Sequence, residues 1–414
     1  MKAGFIERGP GRTLLLGTLA NSLGNGVFLT VSALYFTRIA GFSAAELGLG
    51  LSIAGVAGLF AGVPFGHLAD RRGARGTSAL LLVLAGLATA AYLTTDSFPL
   101  FVVIAFFYAM FERGAHAARQ ALIPAVLSGE SLVRVRAKIR VVTNVGVSAG
   151  AGLGGLALLW DTSTAYHLTF ALNAVSFVVC GLLFLRLPAV PPAAERAPGE
   201  PRLAVLHDRP YALLALINMV MLLHIPILEV VLPLWISLHT GAPRSLTAAL
   251  LLLNTLAVVG LQVRLTKKID ALEPAVRAFR TAGVVLLASC TAFAVSAGRG
   301  AVTATAVLVV AAALHVYGEM VQSAGSWLIG YELAPKDRQG QYQGLFNTGI
   351  AAVQMFGPVS LTLLLIDWGT PGWLVLGAVF LAGGLLMAPA VRWAQRRGAA
   401  AAEGTDPTAL TATA

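Results

Sequence analysis

Gly66-His-Leu-Ala-Asp70-Arg71-Arg72-Gly73-Ala-Arg75 is a short charged stretch bracketed by glycines, set between apolar runs at about 43–69 and 76–95. Each run approaches or exceeds the ~20 residues a helix needs to cross the hydrocarbon of a bilayer. The stretch therefore reads as a tight polar turn between two membrane spans. Composition extends this reading to the whole chain of 414 residues, which is 57% hydrophobic and 12% charged, with a mean hydropathy of +0.79. Soluble domains carry about 25% charged residues. Working outward, spans are expected at about 13–38, 43–69, 76–95, 98–127, 138–160, 165–186, 210–239, 246–265, 276–297, 302–333, 341–366 and 371–394. The predicted fold class is an all-α membrane protein of twelve transmembrane helices.

The net charge of +10 would suggest nucleic acid in a soluble protein, but its distribution excludes that partner. Arg71, Arg72, Arg75, Arg134, Arg136, Lys138, Arg140, Arg264, Lys267, Lys268, Lys336, Arg338, Arg392, Arg396 and Arg397 fall in loops of one side, and only Arg38, Arg244 and Arg299 in those of the other. The basic side is expected to be cytoplasmic, with both termini inside a plasma (inner) membrane. Residues 1–12, with Lys2, Arg8 and Arg12, lead into a run too long for a signal peptide. Arginine outnumbers lysine 24 to 5, which points to a GC-rich bacterial genome. Cys180 and Cys290 lie in separate apolar runs and read as small buried side chains, not a disulfide or metal pair.

Asn144-Val-Gly-Val-Ser-Ala149 recurs as Asn347-Thr-Gly-Ile-Ala-Ala352, an offset of 347 − 144 = 203 residues, close to half the chain. Two six-helix halves follow: residues 1–187 and 209–397, joined by a Pro-, Ala- and charge-rich linker at 188–208 and trailed by an Ala/Thr-rich tail at 398–414 expected to be disordered. Halves related in this way place a substrate site between them, near the bilayer midplane.

The opening stretch resembles the loop motif G-x-L-a-D-R-x-G-R-[KR] of the major facilitator superfamily, with Gly66, Asp70, Arg71, Gly73 and Arg75 in its main positions and the basic end slightly shifted. The resemblance implies the major facilitator fold and a gating role for this cluster. The loop at Leu261–Asp270 in the second half does not keep the pattern. Gly146, Gly150, Gly154 and Gly155 resemble the antiporter motif G-xxx-G-P-xx-G-G of drug-export branches, with Ala151 where that motif has Pro. Four-residue glycine spacing lets helices pack backbone to backbone. Ala118-Arg119-Gln120-Ala-Leu-Ile-Pro124 is similar to phrases that close span 4 in many bacterial exporters of the superfamily.

A charge inside a bilayer faces a cavity or a partner. In span 4, Glu112, His116 and Arg119 share a helical face beside Arg113, and in span 10 His315, Glu319, Gln322 and Ser326 share another. Subtracting 203 places His315 on Glu112 and Glu319 on His116. Span 7 adds His224, just before Pro226, and Glu229, between Pro226 and Pro233, and span 1 offers Asn21 and Asn25 but no acid. A carboxylate in a partly apolar cavity can load and release a proton near neutral pH. Glu229 and Glu319, then Glu112, are the expected proton carriers; the competing reading is a structural ion pair, Glu112–Arg113 or Glu319 with a histidine. Asn21, Asn25, Arg113, His116, His224, His315, Gln322, Trp235 and Trp327 are the expected cavity residues, and Phe28, Tyr35, Tyr317 and Tyr331 could add aromatic surface.

With no nucleotide-binding loop and no HExxH spacing, the expected function is secondary transport and not enzymology. The resemblance implies proton-coupled export of drug-like or natural-product molecules. The alternatives are an importer or uniporter of a small metabolite, or an intramembrane enzyme. The expected partners are a small amphipathic substrate and the bilayer, for a monomer driven by the proton gradient without a cofactor or metal.

Overall fold

The computed structural model describes residues 9–95, 97–189, 191–192, 203–267 and 269–403. Lys2, Arg8, Lys268, most of the linker and residues 404–414 lie outside them. Among the described residues, twelve helices are long and apolar enough to cross a membrane. They are α1 Pro10–Ile39, α2 Glu46–Arg72, α3 Ala74–Thr94, α4 Phe98–Val126, α5 Ser131–Trp160 and α6 Ser163–Leu185, then α7 Arg209–His239, α8 Leu246–Thr266, α9 Leu272–Val295, α10 Ala301–Glu332, α11 Lys336–Asp367 and α12 Thr370–Arg397.

Two boundaries differ from the sequence expectation in informative ways. The expected start of span 5 near residue 138 is wrong by two turns, because α5 already runs from Ser131 and takes in Arg134, Arg136, Lys138 and Arg140. Their basic character points to a loop, yet a long side chain can carry its charge away from a helix it helps to form. The last helix continues to Glu403, into the segment expected to be disordered from 398. Alanines 399–402 explain this, since Ala is the best helix former.

Within the first half, α1 packs on α5 and α6, α4 on α2 and α3, and α3 on α6; within the second, α9 packs on α10 and α12, and α7 on α11 and α12. Each half has its own buried core. Phe101, Phe170, Phe177 and Phe184 are buried in the first, and Trp235, Phe279, Phe293 and Trp373 in the second. Phe60, Leu159 and Val302 stay exposed, as side chains facing lipid do. Cys180 and Cys290 are free and buried.

The internal repeat has a structural counterpart. Asn144 donates its side-chain amide to the Arg140 carbonyl at 3.0 Å, and Asn347 does the same to Gln343 at 2.7 Å. Gly154 faces Thr30 of α1, and Gly357, 203 residues on, faces Pro226 of α7.

The α5 glycines divide. A Cβ on Gly146 would meet Ser22, one on Gly150 would meet the Leu23 carbonyl, and one on Gly154 would sit 2.8 Å from Thr30. These three form the close α1–α5 seam. Gly155, expected to belong with them, looks into open space with nothing within 4 Å. It is one residue off the four-residue row and so points elsewhere. Gly150→Leu is therefore expected to destabilise the protein by about 1–3 kcal/mol through overpacking. Gly155→Leu should change it by no more than about 0.5 kcal/mol. Thermal unfolding of the two variants in detergent, followed by near-UV circular dichroism, checks the contrast.

Candidate functional site

The halves meet along α2–α11, α5–α8 and α4–α11. The basic end of this seam is held by Asp70. Its carboxylate accepts the backbone N–H of Gly340 at 2.6 Å and of Gln341 at 2.9 Å, in the first turn of the α-helical part of α11, which starts at Gln339. Helix N-termini offer unpaired N–H groups and a positive field, so a carboxylate is a fitting partner there. Two glycines allow the approach: a Cβ on Gly66 would strike the Gly340 carbonyl, and one on Gly340 would strike that of Gly66. Gly62 and Gly344 repeat the contact one turn along. His67, placed in a free position of the motif, faces the Gln341 side chain at 2.9 Å. Gly73 turns the chain into α3 with φ +91°, a conformation open to glycine, and Arg75 donates to the Leu187 carbonyl at the end of α6 at 3.0 Å. Arg71 lies in the last turn of α2.

A second connection runs between α5 and α10. Arg140 pairs with Glu319 and donates to Ser323 at 3.3 Å, while the Arg136 guanidinium lies over the Trp327 ring, 4.8 Å from its centroid. Four-residue spacing on both helices places these contacts in register. Asn254 of α8 donates to the other Glu319 oxygen at 3.0 Å. Glu319 is thus held by an arginine of the other half and not by a histidine. Trp327 stacks on Tyr331 at 5.4 Å.

Two cavities flank this seam. One, of about 280 Å³, is lined by His116, Arg119, Arg136, Arg140, His224, Gln322 and Trp327 among others. The Gln322 side chain donates to Asn218 at 3.0 Å, as Ser326 does at 2.6 Å. The other, of about 590 Å³, lies toward the opposite end and is lined by Asn25, Phe28, Tyr92, Tyr108, Glu112, Arg113 and Gln354 among others. There Glu112 pairs with Arg113 at 3.4 Å, and Arg113 also bonds Gln354 of α11 across the seam. The face shared by Glu112, His116 and Arg119 therefore serves two cavities, not one.

The remaining expected residues spread out. Glu229 is exposed, on a π-helical turn Ile227–Val231 that follows Pro226. His315 is buried with its ring 5.7 Å from that of His224. Their nitrogens and a Glu319 oxygen lie within 4.8 Å of one another, a grouping of metal-ligand types that no sequence spacing announced. Asn21 is buried in α1 and lines neither cavity. Trp235, expected in the cavity, is instead fully buried in the core of the second half, donating to Ser296 at 2.9 Å and edge-on to Trp373. Tyr317 is 39% exposed. Reading the sequence missed Arg136, Arg140, Asn218, Asn254 and Gln343. The 203-residue offset offered one signal, because it maps Arg140 onto Gln343 and both line the same cavity.

The sequence model of the Major Facilitator Superfamily matches residues 14–358, most of the chain. The chain belongs to the major facilitator superfamily. No curated protein matches this facilitator significantly by sequence. Solved structures share its fold. A bacterial homologue of the iron transporter ferroportin, in an outward-facing state, aligns over 93% of this chain and 99% of its own, with a TM-score of 0.73 and 18% identity. The proton:xylose symporter XylE aligns over 92% and 95%, with a TM-score of 0.67 and 13% identity. The human organic anion transporter MFSD10 aligns over 92% and 100%, with a TM-score of 0.62 and 18% identity. This facilitator is a multi-pass membrane transporter, not an enzyme.

Removing one partner of the Arg140–Glu319 pair strands the other charge. Arg140→Gln is expected to cost about 1–3 kcal/mol, and Arg140→Gln with Glu319→Gln less than the single change. Thermal unfolding of the wild type, both single variants and the double variant closes the cycle.

Proposed function

We propose that this facilitator is a proton-coupled exporter of small amphipathic molecules, working by alternating access with its basic end toward the cytoplasm. The observation that carries the reading is the Arg140–Glu319 pair, an acid and a base on opposite halves at the seam. A proton on Glu319 removes the charge that holds Arg140, so proton loading and separation of the halves become one event. Glu229, exposed on its π turn, is the second candidate carrier. Glu112 is less suited, because it is already paired with Arg113 of its own helix.

The hold of Asp70 on α11 supports reading this as the state closed at the basic end. The positive-inside bias supports a cytoplasmic location for that end. Gly146, Gly150 and Gly154 support export, since their packing on α1 fits the antiporter pattern they resemble. The fold also occurs in a proton:xylose symporter, so it is compatible with proton coupling.

Proteoliposomes holding the purified chain test the reading. A pH gradient should drive efflux of an amphipathic dye in the wild type. Glu319→Gln should abolish the gradient-driven component while leaving gradient-free exchange of the same dye, and Glu229→Gln should weaken it. If gradient-driven transport survives both substitutions, the coupling assignment is wrong. If the vesicles move no amphiphile but accumulate a sugar, the export reading is lost.

A further inference from the structure

The 280 Å³ cavity at the basic end of the seam carries an excess of positive charge. Arg119, Arg136 and Arg140 line it, and no Asp or Glu does. Glu319, beside it, neutralises Arg140 alone. Three guanidiniums against one carboxylate leave two uncompensated, 3 − 1 = 2, and among the described residues neither Arg119 nor Arg136 has a carboxylate partner. Uncompensated charge in a half-buried cavity is costly, and a cavity that keeps it suits a counter-charge from outside the chain.

Side-chain amides of Gln120, Asn218, Gln262, Gln322, Gln343 and Asn347 complete the wall. Guanidinium forks and amide N–H groups match the planar or tetrahedral oxygens of an oxyanion. A divalent cation at His224, His315 and Glu319 fits less well. The carboxylate there is already engaged by Arg140, and the neighbouring guanidiniums repel a cation.

We propose that this cavity binds the anionic group of the transported molecule, a carboxylate or phosphate on a small organic body, with Arg119 and Arg136 as its counter-charges. Trp327 and Phe346 provide apolar wall for that body. The proposal rests on the transport reading above and adds the charge of the substrate. The same oxyanion chemistry occurs on lipid headgroups, and the proposal commits to the soluble source.

The test uses the full chain in phosphatidylcholine nanodiscs and ligands that share one ring: benzoate, phenyl phosphate, benzyl alcohol and phenyltrimethylammonium. Calorimetric titration should show saturable binding of benzoate or phenyl phosphate and none of the other two. Arg119→Gln and Arg136→Gln should weaken that binding about tenfold, the size of one lost charge-assisted hydrogen bond. Arg136→Lys, which keeps the charge, should weaken it less and guards against a folding artefact. Equal binding of the neutral ligand, preference for the cation, or indifference to both glutamine variants overturns the proposal. A nanodisc arm with phosphatidylglycerol distinguishes the sources: if only the lipid raises the melting temperature, the soluble-substrate proposal fails. Gradient-driven efflux of cationic dyes without anion binding sinks this proposal and leaves the exporter reading standing. Anion binding with no proton dependence of transport does the reverse.

Discussion

Hydrocarbon gives a buried polar group nothing to bond, so an ionised side chain along these helices needs a partner inside the protein or a polar cavity to face. Lipid-facing surfaces are left to Leu, Val and Phe, and the polar cost collects at the seam between the halves. There Asp70 takes two backbone N–H groups of α11, Glu319 takes Arg140 and Asn254, and Arg113 takes Gln354. The chain thus joins its halves with the groups that lipid excludes. Polar contacts can be exchanged for water or for a ligand when the halves part, whereas the apolar core of each half has no such alternative.

The spans were legible because lipid imposes one length and one composition on all of them. The polar face of α10 was equally legible, since His315, Glu319, Gln322 and Ser326 recur at helical spacing. Its partner was not. Arg140 lies 179 residues away in sequence, among basic residues that look like a membrane-surface loop. Only the fold shows that Arg136 and Arg140 reach inward to α10. Trp235 failed for a different reason: a tryptophan in a core and one in a cavity wall have the same sequence neighbourhood, and its bond to Ser296 spans 61 residues. Asp70 is legible as a carboxylate at a helix end, but the helix whose N–H groups it accepts could not be named from the loop alone.

The unequal halves suggest gating in one and coupling in the other, because the first keeps the Asp70 motif and the second carries the more isolated acids. The geometry does not divide in that way. Asp70 belongs to the first half and acts on the second, while Glu319 belongs to the second and is held by the first. Both connections lie on α2, α5, α10 and α11, whose basic ends converge. At the repeat itself, Asn144 and Asn347 make the same bond, yet one is preceded by an arginine and the other by a glutamine at equivalent positions. The backbone symmetry persists while the charge symmetry has been lost, and this gives the cavity its polarity.

The π-helical turn of α7 sets the facing of Glu229. It spans Ile227–Val231, between Pro226 and Pro233. A π turn holds one residue more than an α turn, so side chains beyond it are rotated by about 100° from where an α-helix would put them. Shifting the wide turn by one position reorients a residue such as Glu229 while the amides around it remain hydrogen-bonded. An unwound hinge at the same depth would strand those amides in hydrocarbon. The wide turn thus offsets the phase of α7 after Val231 from its phase before Ile227.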